Sequence, residues 1–172
     1  MNARLASLPL AVTLSALLLS SGLADEANEL RVRGGILGCG GNHFSRLSGT
    51  EQQRTSYIFR NFSGYATAAI ERVQMFDANG NTLFEFPDAD LPGSVKTELG
   101  PHETTQINTA DILFDDLDPA ARPIQTHVLW SYAQRQRDIA LSGSTVRTVR
   151  ASDTGTELSR ADSECKLIGS RN

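Results

Sequence analysis

Cys39 and His43 stand four residues apart in GGILGCGGNHFSR (Gly34–Arg46), with five glycines around the cysteine. A thiolate with an imidazole base is a nucleophilic pair, and the same two groups are metal ligands. Either use needs company that the chain does not supply nearby. Only His102 and His127 remain as histidines, neither beside a second ligand, whereas structural zinc takes four ligands in close pairs. No Cys-x-x-Cys-His haem signature occurs, and no lysine or strand–helix frame turns the glycines into a phosphate or dinucleotide loop. The only other cysteine is Cys165, which makes a disulfide the simpler fate of Cys39.

Other candidates are weaker. Asp77-Ala78-Asn79-Gly80-Asn81 begins like a calcium loop, but Thr82 occupies the position where such loops need glycine. Asn79-Gly80 reads instead as the tip of a hairpin. Asp111, Asp115, Asp116 and Asp118 form an acidic loop whose oxygens suit calcium, with a solvated loop as the default. No Gly-x-Ser-x-Gly elbow marks a serine hydrolase. Asn61-Phe62-Ser63 matches a glycosylation acceptor. Trp130 could stack on a sugar, but shares its parity with Ile124 and Val128, which favours core packing. Arg147 and Arg150 fall on opposite faces of one strand and so break up an apparent basic strip.

The segments that must position these residues are mostly strands. TSYIFRNF alternates Tyr57, Phe59 and Asn61 against Ile58, Arg60 and Phe62. Folding ATAAIERVQMFDANGNTLFEF about Asn79-Gly80 as a type I′ turn sets Asp77 against Thr82, Met75 against Phe84 and Val73 against Phe86. A competing helix over Ala66–Phe76 would align Ala66, Ala69, Ile70, Val73 and Phe76; the apolar match across the turn favours the hairpin. SVKTEL and TTQINT read as two more strands around Gly100-Pro101, and TADILFDDLDPAARP as a short helical turn or loop. In IQTHVLWSYA, Ile124, Thr126, Val128, Trp130 and Tyr132 share a core parity. Gln125, His127, Ser131 and Arg135 form a polar face that could bind a partner. The last third holds two or three strands, with Gly143 interrupting the first and Asp153-Thr154-Gly155 turning the second.

Residues 1–24 carry Arg4, an apolar run over Leu8–Leu19 and small residues before a cut after Ala24, which is the form of a secretory signal peptide. The run is too short to span a membrane, and no second one approaches that length. Removing it leaves 148 residues and a net charge of about −5 with dispersed signs, which argues against nucleic acid and anionic lipid. Two cysteines in an exported chain fit a Cys39–Cys165 bridge. Cys39 lies too far beyond the apolar run to be a lipid anchor.

RNFSGYATAAIERVQMFDANGNTL, LGPHETTQINT and PIQTHVLW together resemble small exported bacterial immunoglobulin-like β-sandwich domains. Those domains carry an Asn-x-Ser segment, a YDAxG hairpin, a Leu-x-Pro turn and a later Val-x-Trp strand. The likeness covers residues 55–132 and implies a fold with a binding, assembly or accessory role, with no cofactor and no reaction. The expectation is therefore all-β: a signal peptide over 1–24, an irregular lead-in over 25–54, and over 55–172 a single antiparallel immunoglobulin-like sandwich of about 7–8 strands with a short helical turn. Its place is the periplasm or outside the cell, its partner a protein or envelope component. The rival classes are a small extracytoplasmic enzyme or metal protein using Cys39, His43, His102 or His127, and a calcium-dependent adhesion module.

Overall fold

A computed structural model describes residues 31–45, 51–114, 117–118, 121–134 and 141–171. The chain forms β1 (Arg31–Asn42), β2 (Phe44–Ser45), β3 (Glu51–Asn61), β4 (Ala68–Phe76), β5 (Thr82–Phe86), β6 (Glu98–Leu99), β7 (Thr104–Asn108), β8 (Pro123–Gln134), β9 (Leu141–Ala151), β10 (Glu157–Glu164) and β11 (Lys166–Arg171). One 3-10 turn spans Thr109–Asp111. The strands make two antiparallel sheets. The first runs β11-β1-β8-β4-β5 with β6 also on β4; the second runs β10-β9-β3-β2 with β7 also on β3. The fold is a β-sandwich. Among the described residues no helix is long and apolar enough to cross a membrane.

Alternation fills the core from both sheets. Thr55, Tyr57, Phe59 and Asn61 on β3, and Ile124, Thr126, Val128, Trp130 and Tyr132 on β8, are all buried. Side chains of period two fall on one face of a strand, so these two runs meet between the sheets. Val73 and Met75 join them from β4, with Phe84 and Phe86 packed against them from β5.

The β4–β5 register is Val73 to Phe86 and Met75 to Phe84, as the apolar match required. The tip differs. Phe76, not Asp77, is the residue paired with Thr82. The Gly80 N–H donates to the Asp77 carbonyl (3.1 Å) and the Asp77 N–H to the Asn81 carbonyl (2.9 Å). Gly80 has φ +83°, and among the described residues His102 is the only non-glycine with positive φ. Asn79 therefore does not take the left-handed conformation that a type I′ turn needs. The tip is a longer loop whose glycine alone is left-handed, with a bulge at its base. The helical spacing of Ile70 and Val73 also has a cause. Ile70 pairs with Trp130 and Arg72 with Leu129, so Glu71 is an extra bulged residue that shifts the inward parity by one.

The lead-in needs correction. Residues 31–42 are not irregular; they form β1, inside the first sheet, paired with β8 from Arg31–Gln134 to Asn42–Pro123. The sandwich thus starts by residue 31 rather than 55, and eleven strands stand among the described residues, not seven or eight. Glycines lower strand propensity, which hides β1 in the sequence. Their use here is space: a Cβ on Gly41 would lie 2.5 Å from Tyr57 Oη and 2.9 Å from Thr55 Oγ1. Gly143 likewise does not interrupt β9. It sits opposite Phe59, where a Cβ would come within 2.9 Å of the ring and 3.0 Å of Cys165 Sγ. SVKTEL contributes only the two residues of β6. The signal segment 1–24 lies outside the described residues.

Candidate functional site

The chain passes repeatedly from one sheet to the other, and residues with reactive side chains stand at two of these crossings. β1 in the first sheet leads to β2 in the second through His43. β10 in the second leads to β11 in the first through Cys165. Cys39 points inward from β1, 2% exposed, and is bonded to Cys165 with the two Cα atoms 4.5 Å apart. The Cys165 N–H donates to the Gly143 carbonyl at 2.9 Å, fixing the second corner to β9. A sulfur in a disulfide is neither a nucleophile nor a thiolate ligand.

His43 is fully buried, and its N–H donates to the Arg122 carbonyl at 3.0 Å. Beside it the Arg122 guanidinium lies 3.6 Å over the Phe44 ring. At roughly 3.3 Å per residue, four residues of extended chain put about 13 Å between the backbones of Cys39 and His43. The pair that the sequence brought into view is held apart by the strand that carries it.

The other two histidines are elsewhere. His102 occupies the turn between β6 and β7 with φ 61°, and its N–H donates to the Ser63 carbonyl at 3.3 Å. His127 lies on the outer face of β8, its ring edge-on to Phe76 at 5.3 Å and its Nε2 2.8 Å from Gln125 Nε2. Among the described residues no group of three or more His, Cys, Asp or Glu is placed to hold a metal.

The polar face expected on β8 is only partly present. Gln125 is exposed and His127 half-buried, but Ser131 is 7% exposed and Leu129 lies between them on the same face. β8 is flanked by β1 and β4, so a small side chain such as Ser131 is sheltered by its neighbours. Arg135 lies outside the described residues.

The polar loop residues act as ties. Asp77 Oδ1 accepts from the N–H groups of Asn79 and Asn81 at 2.8 Å, and Oδ2 accepts from Asn81 Nδ2 at 2.9 Å. The Asn81 side chain is the main cause holding this carboxyl below its ordinary range. Asn61, the formal glycosylation acceptor, is 1% exposed. Its Nδ2 donates to the carbonyls of Ala66, Leu99 and Gly100 at 2.7, 2.9 and 3.0 Å, which leaves that nitrogen in the interior. In the acidic loop, Asp111 Oδ2 accepts from Asn108 Nδ2 at 2.8 Å, while Asp115 and Asp116 lie outside the described residues.

At the side of the sandwich, edge strand β5 and the loop after it face the 3-10 turn that follows β7. Between them opens a cleft of about 340 Å³, walled by Phe84, Leu91, Pro92, Ile112 and Phe114 with Asp90 and Asp111 at its rim. The turn sets the last of these: the N–H of Leu113 donates to the Thr109 carbonyl at 2.8 Å, and Leu113 is buried. Phe114, the next residue, is 83% exposed. The signal in the sequence is the apolar triplet Ile112-Leu113-Phe114 set between aspartates, in a loop where core periodicity does not account for three apolar residues in a row.

No family model and no curated protein matches the chain. A solved structure described as "Crystal Structure of Thermotoga maritima 1070" aligns with 80% of this chain and 93% of its own, at 9% identity and a TM-score of 0.40. A likeness that loose carries no statement about activity.

Proposed function

We propose that the protein is an exported, non-catalytic binding or assembly module built on an immunoglobulin-like sandwich, whose partner is a protein or another component of the cell envelope. The observation that supports this reading most is Phe114, 83% exposed at the mouth of the lateral cleft. The disulfide supports export, since such bonds persist in oxidising compartments. The closed Cys39–Cys165 pair and the separated histidines favour binding over the nucleophile or metal-site alternative. The outer face of β8 around Gln125 and His127 is the second place where a partner could sit.

Photo-crosslinking in the native cell tests the reading. A crosslinking amino acid at position 114 is expected to give a discrete adduct. One at Leu158, which is 55% exposed on the charged edge strand β10, is expected to give none. Absence of an adduct from 114, and from Gln125 and His127 in the same experiment, would overturn it.

A further inference from the structure

The lateral cleft combines two kinds of surface. Its walls are apolar, and among the described residues the ionisable side chains lining it are two carboxylates, Asp90 and Asp111. The cations in the elements around the cleft are engaged with other carboxylates. Arg72 Nε stands 3.6 Å from Glu85, and Lys96 Nζ stands 2.8 Å from Glu103. The cleft is thus an apolar trough under a negative rim, and a partner buried in it would need an apolar anchor with positive charge on either side.

We infer that the cleft binds a peptide segment of another protein in which one large apolar side chain is flanked by lysine or arginine. The inference rests on the binding reading above and names the class of partner. A volume of about 340 Å³ holds one or two large side chains, not a folded domain. Phe114 closes over the anchor, removing its own exposed ring from water as it does so. Asp90 and Asp111 meet the flanking cations at the rim, where attraction is screened by salt and serves selection more than affinity. An acidic segment is repelled by the same rim. The chain's own residues 25–30, Asp-Glu-Ala-Asn-Glu-Leu, are of that unsuitable kind.

The test uses the mature full-length chain and a nine-residue fluorescent peptide with a central isoleucine between two lysines on each side, read by anisotropy. Two control peptides replace the isoleucine by serine or the lysines by glutamates. The lysine–isoleucine peptide is expected to bind, and each control to bind roughly tenfold or more weakly. Phe114→Ser should weaken binding by a similar factor, and the Asp90→Asn, Asp111→Asn double variant should reduce both the affinity and its dependence on salt. Equal binding of the three peptides, or binding indifferent to these variants, would overturn the inference. So would a position-114 adduct in cells with twice the mass of the mature chain, which would make a second copy the occupant. Failure of the peptide beside a cellular adduct to a different, acidic partner would remove the basic-segment inference and leave the binding reading standing.

Discussion

The corner around Cys39 and the cleft beneath Phe114 divide the molecule's chemistry in an unexpected way. The corner contains the residue types most often associated with catalysis, a cysteine and a histidine, and it is the part most deeply built into the fold. Cys39 is 2% exposed and His43 fully buried, each beside a point where the chain passes from one sheet to the other. The cleft is made of phenylalanine, leucine, isoleucine, proline and aspartate, none of them reactive, yet it is the part turned toward water. Phe84, Leu91 and Ile112 pack against the core from the cleft side, while Phe114 beside them is 83% exposed.

If that division is right, changes at the corner should act on stability and changes at the cleft on binding. The largest effect belongs to the bridge. Cys39→Ser or Cys165→Ser opens a loop of 126 residues, and the variant should lose about 4 kcal/mol in denaturant unfolding. The parent protein should show no titratable thiol before reduction. Next is the space left by glycine. Gly41→Val would drive a side chain into Tyr57 and Thr55, and should lower the unfolding free energy by about 1–3 kcal/mol, as overpacking does.

Alkaline pH probes the same region. Burial pushes the Tyr57 phenol up to about 12, against a smaller opposing pull from the Thr126 hydroxyl. In the unfolded chain a tyrosine ionises near 10. The stabilisation from keeping Tyr57 neutral is therefore complete below pH 10 and is lost as pH rises through 12. That loss should amount to about 3 kcal/mol, and Tyr57→Phe should flatten the profile in that window. The smallest stability effect is expected at the cleft. Phe114→Ser should change the unfolding free energy by no more than about 0.5 kcal/mol, because the ring is already in water.

Much of the sandwich could be read from the chain, and the parts that could not share a cause. β3 and β8 announce themselves because every second residue is large and apolar or β-branched, and both bury those residues. The pairings of Val73 with Phe86 and Met75 with Phe84 follow from the same rule. β1 does not, since it is rich in glycine and one of these, Gly41, answers to Tyr57 and Thr55 on the opposite sheet, a contact invisible along the sequence. The Asn79-Gly80 pair points to a two-residue turn, whereas Asp77 supplies side-chain bonds that stabilise a longer loop. Ser131 has the outward parity expected of it but not the exposure, because parity does not report what shelters a central strand. The cleft needs residues 84–92 and 111–114 to meet, and neither segment signals the other.

The most direct measurement records binding and unfolding on the same preparation of Phe114→Ser. Titration of the lysine–isoleucine peptide by anisotropy is followed by denaturant unfolding of that sample beside the parent. A cleft that recognises and a corner that only holds the sheets together require weakened binding with an unchanged unfolding midpoint. Undiminished binding, or a midpoint that falls together with it, would contradict the account.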